Sequence, residues 1–318
     1  MTENNINLLI DSLSESELKE LIEQCKERVL EIQSDNKTVD SCPHCGSSKI
    51  MKYGKNKFGK QRYKCCCGKV FISTTNTIIH GTWKALNQWM TFLHHYAIGS
   101  SLDVCARECQ ISKNTANRWR HKISMALYLS EFNDIFLEGK IELDETLYER
   151  LNAPESVKKK RGISDQKVNI ACAIDENKNK IIQVSIPGRI TSESLINIYK
   201  NRIKEGSIVV SDSLRSYHEL MKELKVNWKK IPSKKKSVEE YTLDEVNHLH
   251  SSIKYFLAPF RGISMRHLQG YIEMYKVNER YKKAKDTHLF DRLFEQLMSV
   301  KMTLTCSEID KKQLNWII

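Results

Sequence analysis

Lys140-Ile141-Glu142-Leu143-Asp144 and Ser207-Ile208-Val209-Val210-Ser211-Asp212 are two short runs that each finish on an aspartate. The first alternates and the second is dominated by β-branched residues, so each reads as a strand ending in a carboxylate. Further on, Asn247 opens a predicted helix, and Lys254 lies seven residues later, two turns along the same face. Two carboxylates at strand ends plus a third oxygen ligand on a helix can hold paired Mg²⁺ ions for in-line phosphoryl transfer.

Working outward, the first strand is followed by Lys167–Asp175, a turn at residues 176–179, and Lys180–Ile186, which read as a hairpin. A helix begins near Ser192-Glu193, then comes the strand ending at Asp212, a helix, a strand at Asn227–Ile231 and a last helix. Three strands, helix, strand, helix, strand, helix is the ribonuclease-H-like order. In it the first and fourth strands lie side by side, so Asp144 and Asp212 should meet. Glu145 and Glu245 each neighbour a candidate ligand. Strand alternation should turn Glu145 to the opposite face, and a helical step of two places Glu245 well away from Asn247.

Five of the ten cysteines fall between Cys42 and Cys67. Such bunching in a chain of this size points to a metal site in a reducing compartment rather than a disulfide scaffold. Cys42-Pro43-His44-Cys45-Gly46 forms one knuckle and Cys65-Cys66-Cys67-Gly68-Lys69 the other, each with a glycine to supply the unusual backbone angle. The ligand set read here is Cys42, Cys45, Cys65 and Cys67 around one structural Zn²⁺, with Cys66 as the alternative. Cys25, Cys105, Cys109, Cys172 and Cys306 read as core or partly buried residues.

Residues 6–33 carry an apolar periodicity that predicts one or two helices, with Ser14 and Ser16 ahead of acidic residues as at helix starts. They read either as packing helices for the next domain or as a small multimerisation or DNA-end element. Residues 83–98 repeat at helical spacing through Trp83, Leu86, Trp89, Met90, Leu93 and Ile98. Ser101–Cys109, a turn at Gln110-Ile111 and a second helix capped by Ser112 then predict a helix-turn-helix. In that second helix Ala116, Trp119 and Ile123 face inward. Lys113, Asn114, Asn117, Arg118 and Arg120 are left exposed, where a major-groove reader needs polar residues.

Across 318 residues, 51 Lys and Arg against 39 Asp and Glu give a net charge of +12, which favours a polyanionic partner. No apolar run approaches the roughly 20 residues that span a bilayer, and the N-terminus lacks a signal-peptide pattern. The expected fold is α+β and multidomain. Its predicted parts are N-terminal helices at 1–38, a zinc ribbon at 39–75, helix-turn-helix at 80–130, a ribonuclease-H-like mixed sheet flanked by helices at 138–285, and a C-terminal helical segment at 286–318.

The runs Ile141–Thr146 and Ser211–Ser213, together with Val246–Lys254, Phe260–Ser264 and His267–Gln269, resemble bacterial insertion-sequence transposases of the zinc-ribbon, D-D-N/E-K type. The interval from Asp212 to Asn247, 247 − 212 = 35, is similar to that of the D,D-35-E polynucleotidyl transferases. The second knuckle departs from the family by one residue. The resemblance implies cleavage and joining of double-stranded DNA at the ends of a mobile element, with two Mg²⁺ (or Mn²⁺) ions held by Asp144, Asp212 and Asn247. Lys254 would contact the phosphate beside the scissile bond, and His250, on the same helical face, would contact DNA or move protons. It further implies a homo-oligomer on DNA, no membrane, and a bacterial cytoplasmic, nucleoid-associated setting. A nuclease that cuts without joining, and a DNA-binding protein with an inactive core, are the rival readings.

Overall fold

The computed structural model describes residues 12–18, 20, 21, 24, 25, 39–56, 59–82, 84–130, 135–149, 165–233, 235–283 and 289–300. The chain divides into two compact units. One comprises Met1–His95, Leu102–Ala116 and Asp286–Thr303; the other comprises Tyr96–Ser101, Asn117–Lys285 and Leu304–Ile318.

In the first unit, β1 (Ile50–Lys55), β2 (Gln61–Cys65) and β3 (Val70–Ile72) form an antiparallel sheet in that order. A core this small, Cys42, Cys65 and Phe71 with Val39, Ile50 and Tyr63 against them, cannot by itself offset the entropy of ordering the segment. Gly46 and Gly68 take φ of 74° and 81°, the left-handed angles that both knuckles require. Near the N-terminus, Ser14 and Glu17 cap each other reciprocally. The Ser14 N–H donates to Glu17 Oε2 at 2.8 Å and the Glu17 N–H to Ser14 Oγ at 3.4 Å. Most of residues 1–38, Trp83, Lys158–Arg161, Cys306 and the segment after residue 300 lie outside the described residues. Cys25 is exposed, not part of a core.

Helices α1 (Leu86–Ala97), α2 (Leu102–Glu108) and α3 (Lys113–Leu129) follow the ribbon. Ile98 falls beyond the end of α1 and is 39% exposed, so it does not continue the apolar face. Ser112 caps α3 as predicted, accepting from the Thr115 N–H at 3.2 Å.

The second unit is built on a five-stranded sheet of β4 (Lys140–Glu149), β5 (Lys167–Asp175), β6 (Lys180–Pro187), β7 (Ile208–Asp212) and β8 (Asn227–Ile231), in the order β6-β5-β4-β7-β8. β4 to β6 are antiparallel, and β7 and β8 add in parallel. Helices α4 (Ser192–Tyr199) and α5 (Tyr217–Leu224) cover one face; α6 (Asp244–Leu257) and α7 (Met265–Lys283) cover the other. Strand alternation feeds both cores at once: Ala171 and Ala173 of β5 face α4 and α5, while Ile170, Cys172 and Ile174 face α6 and α7. A short hairpin, β9 (Ser237–Val238) with β10 (Tyr241–Thr242), precedes α6, and α8 (Leu289–Ser299) belongs to the first unit.

Two further features differ from the sequence reading. Asp144 is not at a strand end: β4 runs ten residues, because its pairing with β5 continues from Glu145↔Ala171 to Glu149↔Lys167. The parallel ladder with β7 stops at Leu143↔Ser211, so β4 loses one neighbour where Asp144 begins. Arg120 is not exposed either, being only 2% accessible. Its guanidinium donates to the Ser100 carbonyl at 2.6 Å and lies over the Phe260 and Tyr271 rings. Stacking and a carbonyl partner are what let a guanidinium remain buried.

Candidate active site and metal centre

The two aspartates meet because β4 and β7 are parallel and in register one residue short of both. With Leu143 paired to Ser211, Asp144 and Asp212 are the next residues on adjacent strands. Asp212 Oδ1 accepts from the Leu214 N–H at 2.9 Å, which turns the chain away from the sheet directly after the carboxylate. Asp144 Oδ1 accepts from the Glu145 N–H at 2.9 Å. Burial, with the charge of Asp212 adding to it, raises the Asp144 carboxyl to about 6, against the pull of that hydrogen bond. Two carboxylates that repel across a strand pair are what a divalent cation would relieve, and their oxygens suit Mg²⁺ or Mn²⁺.

α6 brings the remaining candidates to the same side. Cys172, the β5 partner of Asp144, lies in the core cluster under α6 and α7. His250 is buried and hydrogen-bonded to the Asp144 backbone; burial and the nearby Lys254 charge hold its imidazole down at about 4. Its Nε2 has no hydrogen-bond partner among the described residues. Lys254 is exposed and close enough to act electrostatically on both His250 and Cys172. Asn247 is exposed and is the fourth residue of α6 rather than its first. At about 100° per residue it lies on the face that carries His250 and Lys254.

Glu142 is the functional candidate that sequence reading missed. No side chain within α6 caps its start. Instead Glu142 Oε2, from β4, accepts the Glu245 N–H at 2.9 Å and the Val246 N–H at 3.1 Å. A carboxylate at a helix N-terminus meets unpaired amides and the positive end of the dipole. This tertiary cap ties the start of α6 to the strand that bears Asp144, two residues away on the same face. Burial raises the Glu142 carboxyl, while those two amides pull the other way. The only sequence signal was a charged residue at a position whose neighbours are buried. Glu142→Ala should cost about 1–2 kcal/mol of stability, the worth of a helix N-cap. Glu142→Gln, which keeps an acceptor oxygen, should cost less. Urea unfolding of the two variants against wild type checks this.

The confounding carboxylates sit elsewhere. Glu145 points to the other side of the sheet and accepts from Tyr217 Oη at 2.5 Å; burial pushes it up to about 8. Glu245 is paired with Lys178 at 2.7 Å, in the turn between β5 and β6, and that hydrogen bond lowers its pKa. On α7, Gln269 Oε1 accepts the Val184 N–H at 2.7 Å, so this residue of the quoted tail stitches α7 to β6.

In the first unit the sulfurs of Cys42, Cys45, Cys65 and Cys67 all lie within 4.8 Å of one another. The Cys42–Cys67 and Cys45–Cys65 separations are 3.8 and 3.5 Å. A tetrahedron with Zn–S bonds of about 2.3 Å has edges of about 3.8 Å, so the quartet fits zinc. Cys66 Sγ instead approaches Ser47 Oγ at 3.4 Å, outside the quartet. On α3, Lys113, Asn114 and Arg118 are exposed and Asn117 is half-buried. Lys113 pairs with the equally exposed Asp103 at 2.7 Å, a contact that water screens strongly.

The sequence over this sheet and its helices matches the model of the ISXO2-like transposase domain. Residues 136–278 are an ISXO2-like transposase domain. The chain thus carries a transposase domain. No curated protein sequence matches it. Among solved structures the chain is similar to the pre-cleavage Mos1 transpososome, at 15% identity over 68% of this chain and 74% of that one, with a TM-score of 0.28. It is also similar to the Drosophila P element transposase strand transfer complex, at 12% identity over 74% and 73%, with a TM-score of 0.29. A simian T-cell lymphotropic virus intasome in complex with PP2A regulatory subunit B56 gamma matches at 10% identity over 58% and 67%, with a TM-score of 0.30. Likeness this loose carries no weight beside the domain match. Among the described residues no helix is long and apolar enough to cross a membrane.

Proposed function

We propose that the transposase cuts and joins DNA at one centre made by Asp144, Asp212, Asn247 and Lys254, with His250 beside them. The observation that carries the reading is the parallel register that sets Asp144 next to Asp212, with the α6 face of His250 and Lys254 closing on Asp144. These residues would hold two Mg²⁺ (or Mn²⁺) ions, whose charge would stabilise the attacking and leaving oxygens of an in-line displacement. Asp144 and Asp212 are the charged ligands, and Asn247 supplies a neutral oxygen. Lys254, exposed at the rim, holds the phosphate next to the scissile bond. His250, neutral at physiological pH because its pKa is held at about 4, offers a hydrogen bond rather than a charge.

In the first unit, the cysteine quartet holds one structural Zn²⁺. The start of α3, with Lys113, Asn114, Asn117 and Arg118, reads the element's double-stranded ends. The active species is a homo-oligomer that pairs two such ends with target DNA in the bacterial cytoplasm. A labelled donor end incubated with a target plasmid tests the reaction. Joined products are expected, and cutting without joining would make the protein a nuclease.

The third ligand has its own test. Asn247→Ala should stop cleavage, while Asn247→Asp should retain part of it because a carboxylate replaces the lost oxygen. Glu245→Gln should change little, its carboxylate being engaged by Lys178. Lys254→Ala should weaken binding of the reacting end and flatten its salt dependence by about one phosphate contact. An active Asn247→Ala beside a dead Glu245→Gln would reassign the ligand.

A further inference from the structure

Between Asp40 and Asp103 the sequence holds no acidic residue, yet nine lysines and arginines lie in that interval. The net charge of +12 is therefore concentrated around the ribbon rather than spread along the chain. The sheet register sorts these side chains by face. Lys52 pairs with Tyr63 and Tyr63 with Phe71, and the Tyr63 and Phe71 rings stack in the cysteine-lined core. Alternation then sends Met51, Tyr53, Arg62, Lys64 and Val70 to the opposite face.

That face is open. Met51 is 65% exposed, Tyr53 45% and Val70 43%, where few large apolar side chains among the described residues are so accessible. Arg62 and Lys64 both lie over the Tyr53 ring, each 5.3 Å from its centroid, so one aromatic ring holds two cations. The Gln61 side chain donates to the carbonyls of Gly54 and Arg62, bracing the strand ends where the register slips between Lys52 and Lys55.

We infer that this outer face of β1–β3 is a docking surface for the phosphate backbone of duplex DNA, with Arg62 and Lys64 as phosphate contacts and Tyr53 as the platform that orients them. The argument is charge complementarity. A face that is cationic and flanked by sequence without one carboxylate suits a polyanion, and its apolar residues suit the sugar edge. Contacts of this kind position a duplex without reading its sequence. The inference rests on the reading of the protein as a DNA-acting enzyme, and it concerns a surface separate from the residues proposed to react.

The test uses the full chain and a short duplex of arbitrary sequence, with binding followed by fluorescence anisotropy between about 50 and 200 mM salt. Arg62→Ala/Lys64→Ala should flatten the slope of log affinity against log salt by about 1.8, two contacts at about 0.9 each, and weaken binding on the order of tenfold. Tyr53→Ala should weaken binding less and Tyr53→Phe hardly at all. Circular dichroism and the count of protected thiols confirm that each variant keeps its fold. An unchanged slope in the double variant overturns the proposal, as does a wild-type protein that ignores the duplex. If the slope is unchanged while Met51→Asp breaks self-association, the face is an interface between copies. Cleavage by Asp144 and Asp212 variants is scored separately, so the docking face can fail while the catalytic reading stands.

Discussion

Asp144→Asn and Asp212→Asn are each expected to abolish DNA strand cleavage while leaving the fold and DNA binding close to wild type. The two side chains stand on adjacent strands of the central sheet, and the Asp144 carboxyl is raised to about 6 by burial and by its neighbour. Replacing either by the isosteric amide removes one negative charge from that pair, so the sheet loses a repulsion and no packing. A metal site that loses a charged ligand loses several kcal/mol of transition-state stabilisation, so the expected fall in rate is roughly a thousandfold or more. The substrate is a labelled duplex bearing the element's terminus, read from matched inverted repeats in the DNA flanking the gene. Cleavage is followed in Mg²⁺ and in Mn²⁺, and binding is measured in parallel. Wild-type cleavage by either variant would sink the assignment. Loss of binding together with cleavage would point to misfolding, which the unfolding midpoint would expose.

Removing zinc, or changing Cys42 and Cys45 to Ser, is expected to unfold the ribbon and weaken DNA-end binding. Apart from the cysteines, its buried core is essentially Phe71 with Val39, Ile50 and Tyr63 packed nearby. Metal affinity at such a site is folding free energy, on the order of 10 kcal/mol for structural zinc. Burial opposes ionisation of Cys42, but amide donors from His44 and Cys45 and the neighbouring thiols bring it to about 7, while Cys45 and Cys65 of the same cluster are pushed up. Native mass spectrometry should find one zinc per chain in protein prepared without chelators. A chelator should abolish the β signal of residues 40–75 while the catalytic sheet persists. Cys66→Ser should keep the metal, because its sulfur turns to Ser47. Zinc lost on that change would put Cys66 in the ligand set.

Strand and helix order in the second unit was legible because each strand there announces itself. Residues 167–175 and 180–187 are apolar runs broken by a polar turn, and Asp212 follows a run of β-branched residues. The knuckles were legible for a similar reason, since paired cysteines followed by glycine have few other uses. The length of β4 was not legible. Residues 145–149 are polar or mixed, and only the β5 ladder keeps them extended. Arg120 misled because its helical position looks solvent-facing; its partners Phe260 and Tyr271 come from helices and turns about 140 to 151 residues later.

Local sequence therefore determined the elements, the cysteine quartet and the identity of the candidate catalytic residues, because these depend on periodicity, turn chemistry and residue type over a few neighbours. Tertiary structure alone decided how those residues meet. The parallel register that aligns Asp144 with Asp212 is a property of two strands 68 residues apart (212 − 144), and no local pattern encodes a register across that distance. The same holds for Glu142, whose value lies in accepting amides from Glu245 and Val246, more than a hundred residues on. A buried carboxylate is stable only where such donors converge, and convergence is set by packing, not by neighbours in the chain.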